Sequence, residues 1–294
     1  MGLIADLKTS GFVFKKSLGQ NFILDQGFLR GIVEELGIET IDTVVEIGTG
    51  AGTLTRVLAQ KAGRVISYEI DRRLMGILEK QLAGLDNVQV VFEDALKADI
   101  LFDGQGCGSE LLRRDAPYND VFVVVANIPY YITTPLIIKF LNDPHCTRIC
   151  VLVQDDVARR IVAKPGGKDY GALSVTCQVY GKCKIIKLVP REMFIPKPNV
   201  DSAFVVIDKY NPEQNQQPQH RHNPNQKFLD TLETTLKGLF AARRKTILNG
   251  LSHLLDIDKA SAREILAQAG IDENMRPEQI TPQQFVKLAQ KCKL

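Results

Sequence analysis

The residues best suited to do chemistry in this chain are Asn127-Ile128-Pro129-Tyr130, which follow an apolar run over residues 121–125. Such a run reads as a buried parallel strand, and open α/β sheets build their sites at the carboxyl ends of such strands. The residue types suit narrow chemistry. The Asn127 amide oxygen can accept a proton from an exocyclic NH2 group. Pro129 fixes φ and so sets the angle of the Ile128 carbonyl. Tyr130 offers a flat face on which an extruded base can stack. Taken alone, the tetrapeptide would equally suit a strand-end turn with a partly buried tyrosine, so its weight depends on what else shares that sheet edge.

The elements that position it begin upstream. Residues 43–47 read as a β-branched strand, Gly48-Thr49-Gly50-Ala51-Gly52 as a glycine turn, and residues 53–59 as a helix opening on a Thr53 N-cap. Glycine lets backbone approach a ligand without an intervening Cβ. The spacing is GxGxG, not the GxGxxG of a pyrophosphate-binding turn, which argues against a dinucleotide oxidoreductase. A second strand over 64–68 ends in Glu69, whose carboxylate could accept both hydroxyls of a ribose. A third over 88–92 ends at Glu93-Asp94, where Asp94 could accept from an adenine amino group. Any one acid at a strand end is an ordinary cap. A glycine turn carrying Gly48 and Gly50, then Glu69, Asp94 and Asn127 at successive strand ends, is a ligand-binding edge.

These residues carry a family resemblance. The set Glu46-Ile47-Gly48-Thr49-Gly50-Ala51-Gly52, Glu69, Asp94 and Asn127-Ile128-Pro129-Tyr130 resembles the S-adenosylmethionine-dependent adenine-N6 methyltransferases. Residues 16–23, Lys-Ser-Leu-Gly-Gln-Asn-Phe-Ile, resemble the amino-terminal motif of the ribosomal RNA adenine dimethyltransferases. Residues 170–175, 194–203 and 240–247 resemble the small-subunit, kasugamycin-sensitivity branch. The resemblance extends from about residue 14 to about residue 289. Its departures are Thr49 where proline is common, Asp155-Asp156 where Lys-Glu is usual, and a longer segment over 102–119. It implies a doubly wound, mostly parallel, seven-stranded Rossmann-like α/β methyltransferase sheet with a small all-helical C-terminal domain. It further implies S-adenosylmethionine as cofactor and dimethylation of the N6 groups of two adjacent adenosines in a 3′-terminal hairpin loop of 16S rRNA during subunit maturation. The partner would be that rRNA within a pre-assembled small subunit, met by a monomeric cytoplasmic enzyme. By the same resemblance Asn21 and Ile23 meet the cofactor's methionine end, and Phe194 closes the second face of the target adenine. Without its motif, Phe194 would read as a core aromatic wedged by the prolines that follow.

Composition agrees. A chain of 294 residues, 45% hydrophobic and 24% charged, can bury an α/β core and carry a small second domain. A net charge of +3 is too mild to single out nucleic acid, so any RNA-binding face must be local. No apolar stretch reaches the roughly 20 residues of a membrane span, and residues 1–16 lack the continuous apolar region of a secretion signal. The six cysteines, Cys107, Cys146, Cys150, Cys177, Cys183 and Cys292, form no CxxC pair and have no histidines in metal-ligand order. We therefore expect reduced thiols, Cys150 and Cys177 buried among them, and no metal.

Punctuation along the chain divides it into a methyltransferase domain over 1–208, a polar Asn/Gln/Pro-rich linker over 209–226 that holds His220 and His222, and a helical RNA-recognition domain over 227–294. Residues 28–36 carry helical spacing and 149–153 read as the fifth strand of the sheet. Residues 175–179 and 203–207 read as the last two strands, a hairpin-like pair with one antiparallel member. Helical periodicity covers 228–240, 244–255, 259–269 and 282–291. Arg243, Arg244 and Lys245, at the start of the second of these, are the leading RNA-contacting cluster, with a solvated helix face as the other reading. Lys15-Lys16 and the loop over 164–168 are weaker candidates. Two other functions stay open. A macrolide-resistance type of large-subunit methyltransferase would share fold and tetrapeptide, but residues 194–203 and 243–247 argue against it. A non-catalytic assembly factor on the same fold is opposed by intact Glu69, Asp94 and Asn127.

Overall fold

Consecutive residues along the central strands are buried on both faces, which is why these segments read as unbroken apolar runs and why helices must cover both sides. The computed structural model describes residues 12–15, 18–98, 100, 121–210 and 226–292. Lys16, Ser17, the segment over 102–119 with Cys107, and His220 and His222 lie outside them.

A short strand β1 (Phe22–Ile23) precedes helix α1 (Gln26–Glu35), whose first turn is closed by Asp25 accepting from the Phe28 amide at 3.0 Å. Alternation follows: β2 (Thr43–Ile47), α2 (Thr53–Ala59), β3 (Arg64–Tyr68), α3 (Met75–Gln81), β4 (Val88–Val91), β5 (Phe122–Asn127), α4 (Thr133–Asn142), β6 (Cys146–Gln154) and α5 (Asp155–Val162). After it come α6 (Ala172–Tyr180), β7 (Gly181–Val189), β8 (Phe194–Ile195) and β9 (Ser202–Lys209). The chain ends in α7 (Gln226–Ala241), α8 (Ile247–Leu255), α9 (Lys259–Ala269) and α10 (Pro282–Lys291). One sheet holds seven strands in the order β4-β3-β2-β5-β6-β9-β7, and β4, β3, β2, β5 and β6 run parallel. The doubly wound α/β fold and its helical carboxyl-terminal part are those expected.

On one face, Val44, Val123, Val125, Cys150 and Leu152 pack with Leu29, Ile32, Val33, Leu54 and Leu58 of α1 and α2. The alternate residues of β5 and β6, Val124, Ile149 and Val151, are as deeply buried. Phe122 of β5 meets Phe140 of α4 edge-on, ring centroids 6.2 Å apart. Each such side chain taken from water contributes about 1.5–3 kcal/mol.

Three expectations are corrected. Residues 175–179 are helix, not strand. Ala172, Val175 and Val179, three and four residues apart, all pack into the core of the helical part, and the Ser174 hydroxyl accepts from the Gly171 amide at 3.0 Å. The strand is instead the Lys-rich run of β7 that follows. Helix α8 begins at Ile247 rather than at 244, because the Ile247 amide is drawn to the Met275 carbonyl at 2.7 Å. Arg243, Arg244 and Lys245 therefore sit in the turn before it. Thr53 is not the cap of α2; that position is Gly52, and the Thr53 hydroxyl donates to the Ile23 carbonyl at 2.8 Å.

Packing divides the chain at 207/208 and also sets residues 156–184 apart from the sheet. One compact unit comprises residues 1–155 and 185–207, the other 156–184 and 208–294. Residues 156–184 join the helical unit because Tyr170 and Val175 belong to its core and the Tyr170 hydroxyl donates to the Ile280 carbonyl at 2.9 Å.

Candidate active site

A cavity of about 290 Å³ opens at the carboxyl ends of β2, β3, β4 and β5. It is lined by the turn over 48–51, Glu69 and Ile70, the segment Glu93 to Leu96, and Asn127, Pro129, Tyr131 and Ile132. The stretch Leu18 to Ile23 forms a further wall. Gly48, Gly50, Glu69, Asp94 and Asn127, at successive strand ends, share one cavity with Asn21 and Ile23, which only the family resemblance had singled out.

Gly50 has φ +55, and a Cβ there would come within 3.0 Å of the Phe22 ring. Its bare backbone forms a cradle, and its amide donates to Glu69 Oε2 at 2.8 Å. The amides of Ile70 and Asp71 donate to Glu69 Oε1 at 2.9 and 2.8 Å. Burial pushes the Glu69 carboxyl up, and these three amides oppose the shift. A carboxylate offers about four lone-pair directions, so roughly one, on Oε2, is left for a ligand. Asp94 keeps Oδ1 on the Leu96 amide at 3.0 Å and has Lys97 Nζ 3.8 Å from Oδ2.

Asn127 is the last residue of β5, and its Nδ2 donates to the Asn21 carbonyl at 3.1 Å. With the NH2 end committed, the amide presents Oδ1 as an acceptor. The wall that supplies this carbonyl is itself held. Gly19, at φ +58, lies so close to Pro129 that a Cβ would sit 2.7 Å from the proline Cβ. Gln20 donates to Asp71 at 2.8 Å, and Arg73 bonds Asp71 and reaches the Val13 carbonyl at 3.1 Å. The Arg73 guanidinium beside Asp71 holds that carboxyl down at about 2. Phe12, Phe14 and Phe22 cluster behind the wall, with Arg73 5.1 Å over the Phe12 ring.

Tyr130 and Phe194 do not line this cavity. Tyr130 is half-buried and off the cavity wall, its hydroxyl 2.8 Å from the hydroxyl of Ser202, which is buried. Phe194 is 2% exposed, pairs with Ile23 across β1 and β8, and packs into the sheet core. That is the wedged core aromatic its prolines also suggested. Sequence reasoning missed Ile70, Leu96 and Tyr131 as lining residues and Asp71 and Arg73 as the latch on the wall.

The residues over 11–293 match the family model described as ribosomal RNA adenine dimethylase. The chain belongs to the ribosomal RNA adenine dimethylases. Among its relatives, the ribosomal RNA small subunit methyltransferase A of Shouchella clausii is 41% identical over 290 residues, covering 97% of this chain and 92% of that one. The protein of the same name from Clostridioides difficile is 42% identical over 279 residues, 95% and 90% of the two chains. Of solved structures, a dimethyladenosine transferase from Plasmodium falciparum matches with TM-score 0.71 and 25% identity, covering 91% of this chain and 95% of that one. The 23S rRNA methyltransferase ErmE matches at 0.66 and 26%, with coverage of 92% and 98%. This dimethylase is thus an adenine methyltransferase by family, and its sheet-edge cavity lies where the family motifs fall.

Proposed function

We propose that this chain dimethylates the N6 amino groups of two adjacent adenosines in a 3′-terminal hairpin loop of small-subunit rRNA, using S-adenosylmethionine. The observation that carries the reading is the oriented Asn127 amide, held by the Asn21 carbonyl at the rim of a cavity built for a nucleoside-like ligand. The cavity's donor set fits that cofactor. Glu69 Oε2 has an acceptor direction left for a ribose hydroxyl, Asp94 Oδ2 can take an adenine amino group, and Ile70 and Leu96 supply apolar surface for a ring. Asn21 and Ile23, on the far wall, would meet the methionine end.

When bound, S-adenosylmethionine supplies a methyl group already activated by its sulfonium. The chain's own task is to align a poor nucleophile, because the N6 lone pair is delocalised into the purine. Asn127 Oδ1 and the Ile128 carbonyl accept the N6 protons and favour a pyramidal nitrogen. They stabilise positive charge as it develops there, which is binding of the transition state rather than of the substrate alone. Pro129, with φ −56, sets the turn that aims the Ile128 carbonyl. Tyr130 supplies a ring face for the adenine, its tilt set by Ser202. A place for Phe194 on the opposite face would need its ring to leave the core. After the first transfer one N6 hydrogen remains for the second.

In this reading the unit built on the β-sheet binds the cofactor and the helical unit selects RNA through Arg243, Arg244 and Lys245. The substrate is a pre-assembled small subunit, and the enzyme works as a cytoplasmic monomer. The test is single-turnover methyl transfer to small ribosomal subunits, with mass spectrometry of the rRNA fragments. Asn127→Ala should slow transfer by about a hundredfold or more, the order of one lost transition-state hydrogen bond, while cofactor affinity by calorimetry changes less. Wild-type turnover in a folded Asn127→Ala protein, or methyl groups found on large-subunit rRNA, would overturn the reading.

A further inference from the structure

Two tyrosines stand side by side in the 3-10 turn Tyr130–Ile132, and the fold treats them oppositely. Tyr130 is tethered through its hydroxyl to buried Ser202 and is half-buried. Tyr131 is 63% exposed, lines the cavity, and is the only exposed aromatic among the described large hydrophobic side chains. In a 3-10 turn there are three residues per revolution, so neighbouring side chains leave the axis about 120° apart. The two side chains therefore leave the turn on different sides. The Tyr130–Ser202 bond also brings the start of β9 beside this turn, and two residues before Ser202 the side chain of Val200 is exposed as well.

We propose that Tyr131 is a stacking platform for the nucleotide next to the target adenosine, so that the site selects RNA in which two neighbouring bases are both unstacked. The inference rests on the proposed function and names a substrate contact that function does not require. An aromatic face left open to water at a cavity rim favours a flat, partly apolar partner. Single-stranded RNA offers one at the next nucleotide, since every base has a π-face.

The experiment compares wild type, Tyr131→Phe, Tyr131→Leu and Tyr131→Ala on small subunits reconstituted with intact rRNA. It repeats the comparison with rRNA carrying an abasic nucleotide on the 5′ or the 3′ side of the target. Tyr131→Ala should weaken subunit binding and raise KM by about 5- to 150-fold, the range for losing one base–aromatic stack. Its kcat on saturating subunits should fall by a smaller factor than its subunit affinity. Tyr131→Phe should restore binding, and Tyr131→Leu should recover only part of it. Wild type should lose the same factor on one of the abasic substrates, where Tyr131→Ala should lose nothing further. Additive losses on both abasic substrates, or a defect confined to kcat or to cofactor affinity, would overturn the proposal. Binding is also read by itself. If wild type binds the subunits without methylating them, the proposed chemistry fails, and the affinities of the two proteins still decide the stacking role.

Discussion

Glu46 lies fully buried on β2, where the hydroxyls of Thr55 and Ser67 donate to its Oε2 at 2.6 and 2.5 Å and Thr49 in turn bonds Ser67 at 2.6 Å. Burial pushes its carboxyl from an ordinary 4.5 up to about 8, so it is neutral in the folded protein at pH 7. The folded state thus holds a proton that the unfolded chain gives up. Its stabilising effect is complete below about pH 4.5 and disappears as pH rises through about 8. Between these limits wild type should lose up to about 1.4 kcal/mol of stability per pH unit from this group. Glu46→Gln should lack that slope in urea melts, and parallel pH profiles for the two proteins would place the neutral carboxyl in doubt. At Tyr130 the hydroxyl matters through Ser202. Tyr130→Phe leaves a buried hydroxyl without its partner and should cost about 1–3 kcal/mol of stability, with a modest loss of turnover. Ser202→Ala should cost no more, and the double variant Tyr130→Phe with Ser202→Ala should fall short of the sum, as a double-mutant cycle would read.

The cavity is a property of strand ends plus the segments that lock them. Lys139 on α4 donates to the carbonyls of Ala95 and Leu96 at 2.7 and 3.3 Å and also to that of Ala98. It pins the segment that carries Asp94 against a helix of the sheet. An ammonium suits this because it has three donors and no acceptor. Lys139→Met should release the segment and weaken S-adenosylmethionine binding by about 1–3 kcal/mol, although the residue does not line the cavity. Calorimetry against Asp94→Ala separates the two effects, since once Asp94 is removed Lys139→Met should add little. Thr49 illustrates the same scale. Its amide bonds the Tyr68 carbonyl at 3.2 Å and its hydroxyl joins the Glu46 network, and a proline at this position could do neither.

Over the whole molecule, the residues proposed to bind the cofactor all lie in the sheet unit and the exposed turn Arg243-Arg244-Lys245 lies in the helical one. The turn is not loose. Its Lys245 amide bonds the Ala242 carbonyl at 2.8 Å, and α8 starts two residues later, anchored at Met275. Reversing all three cations to Glu should leave S-adenosylmethionine affinity near wild type and strongly weaken ribosomal-subunit binding at physiological salt. Each lost phosphate contact should reduce the slope of log affinity against log salt by about 0.7–0.9. An unchanged affinity and slope would move the RNA face to the Lys15-Lys16 pair, of which Lys15 is exposed, or to the exposed Lys164 and Lys168 of the loop over 164–168.

What the sequence determined by itself is whatever depends on local pattern. β-Branched runs such as 43–47 and 64–68 fold as the strands they read as, and α9 and α10 keep the bounds their periodicity marks. The glycine turn, Glu69, Asp94 and Asn127 were legible as one edge because a parallel sheet puts all its strand ends on one side. What the tertiary structure decided are the choices that local pattern leaves balanced. Residues 172–180 are helix because the core of the helical unit, far along the chain, receives Ala172, Val175 and Val179. Phe194 turned inward because β1 pairs with β8 across more than 170 residues of sequence. The orientation of the Asn127 amide depends on a carbonyl at Asn21, 106 residues away. Such contacts are set by packing between distant segments, and no window of sequence contains both partners.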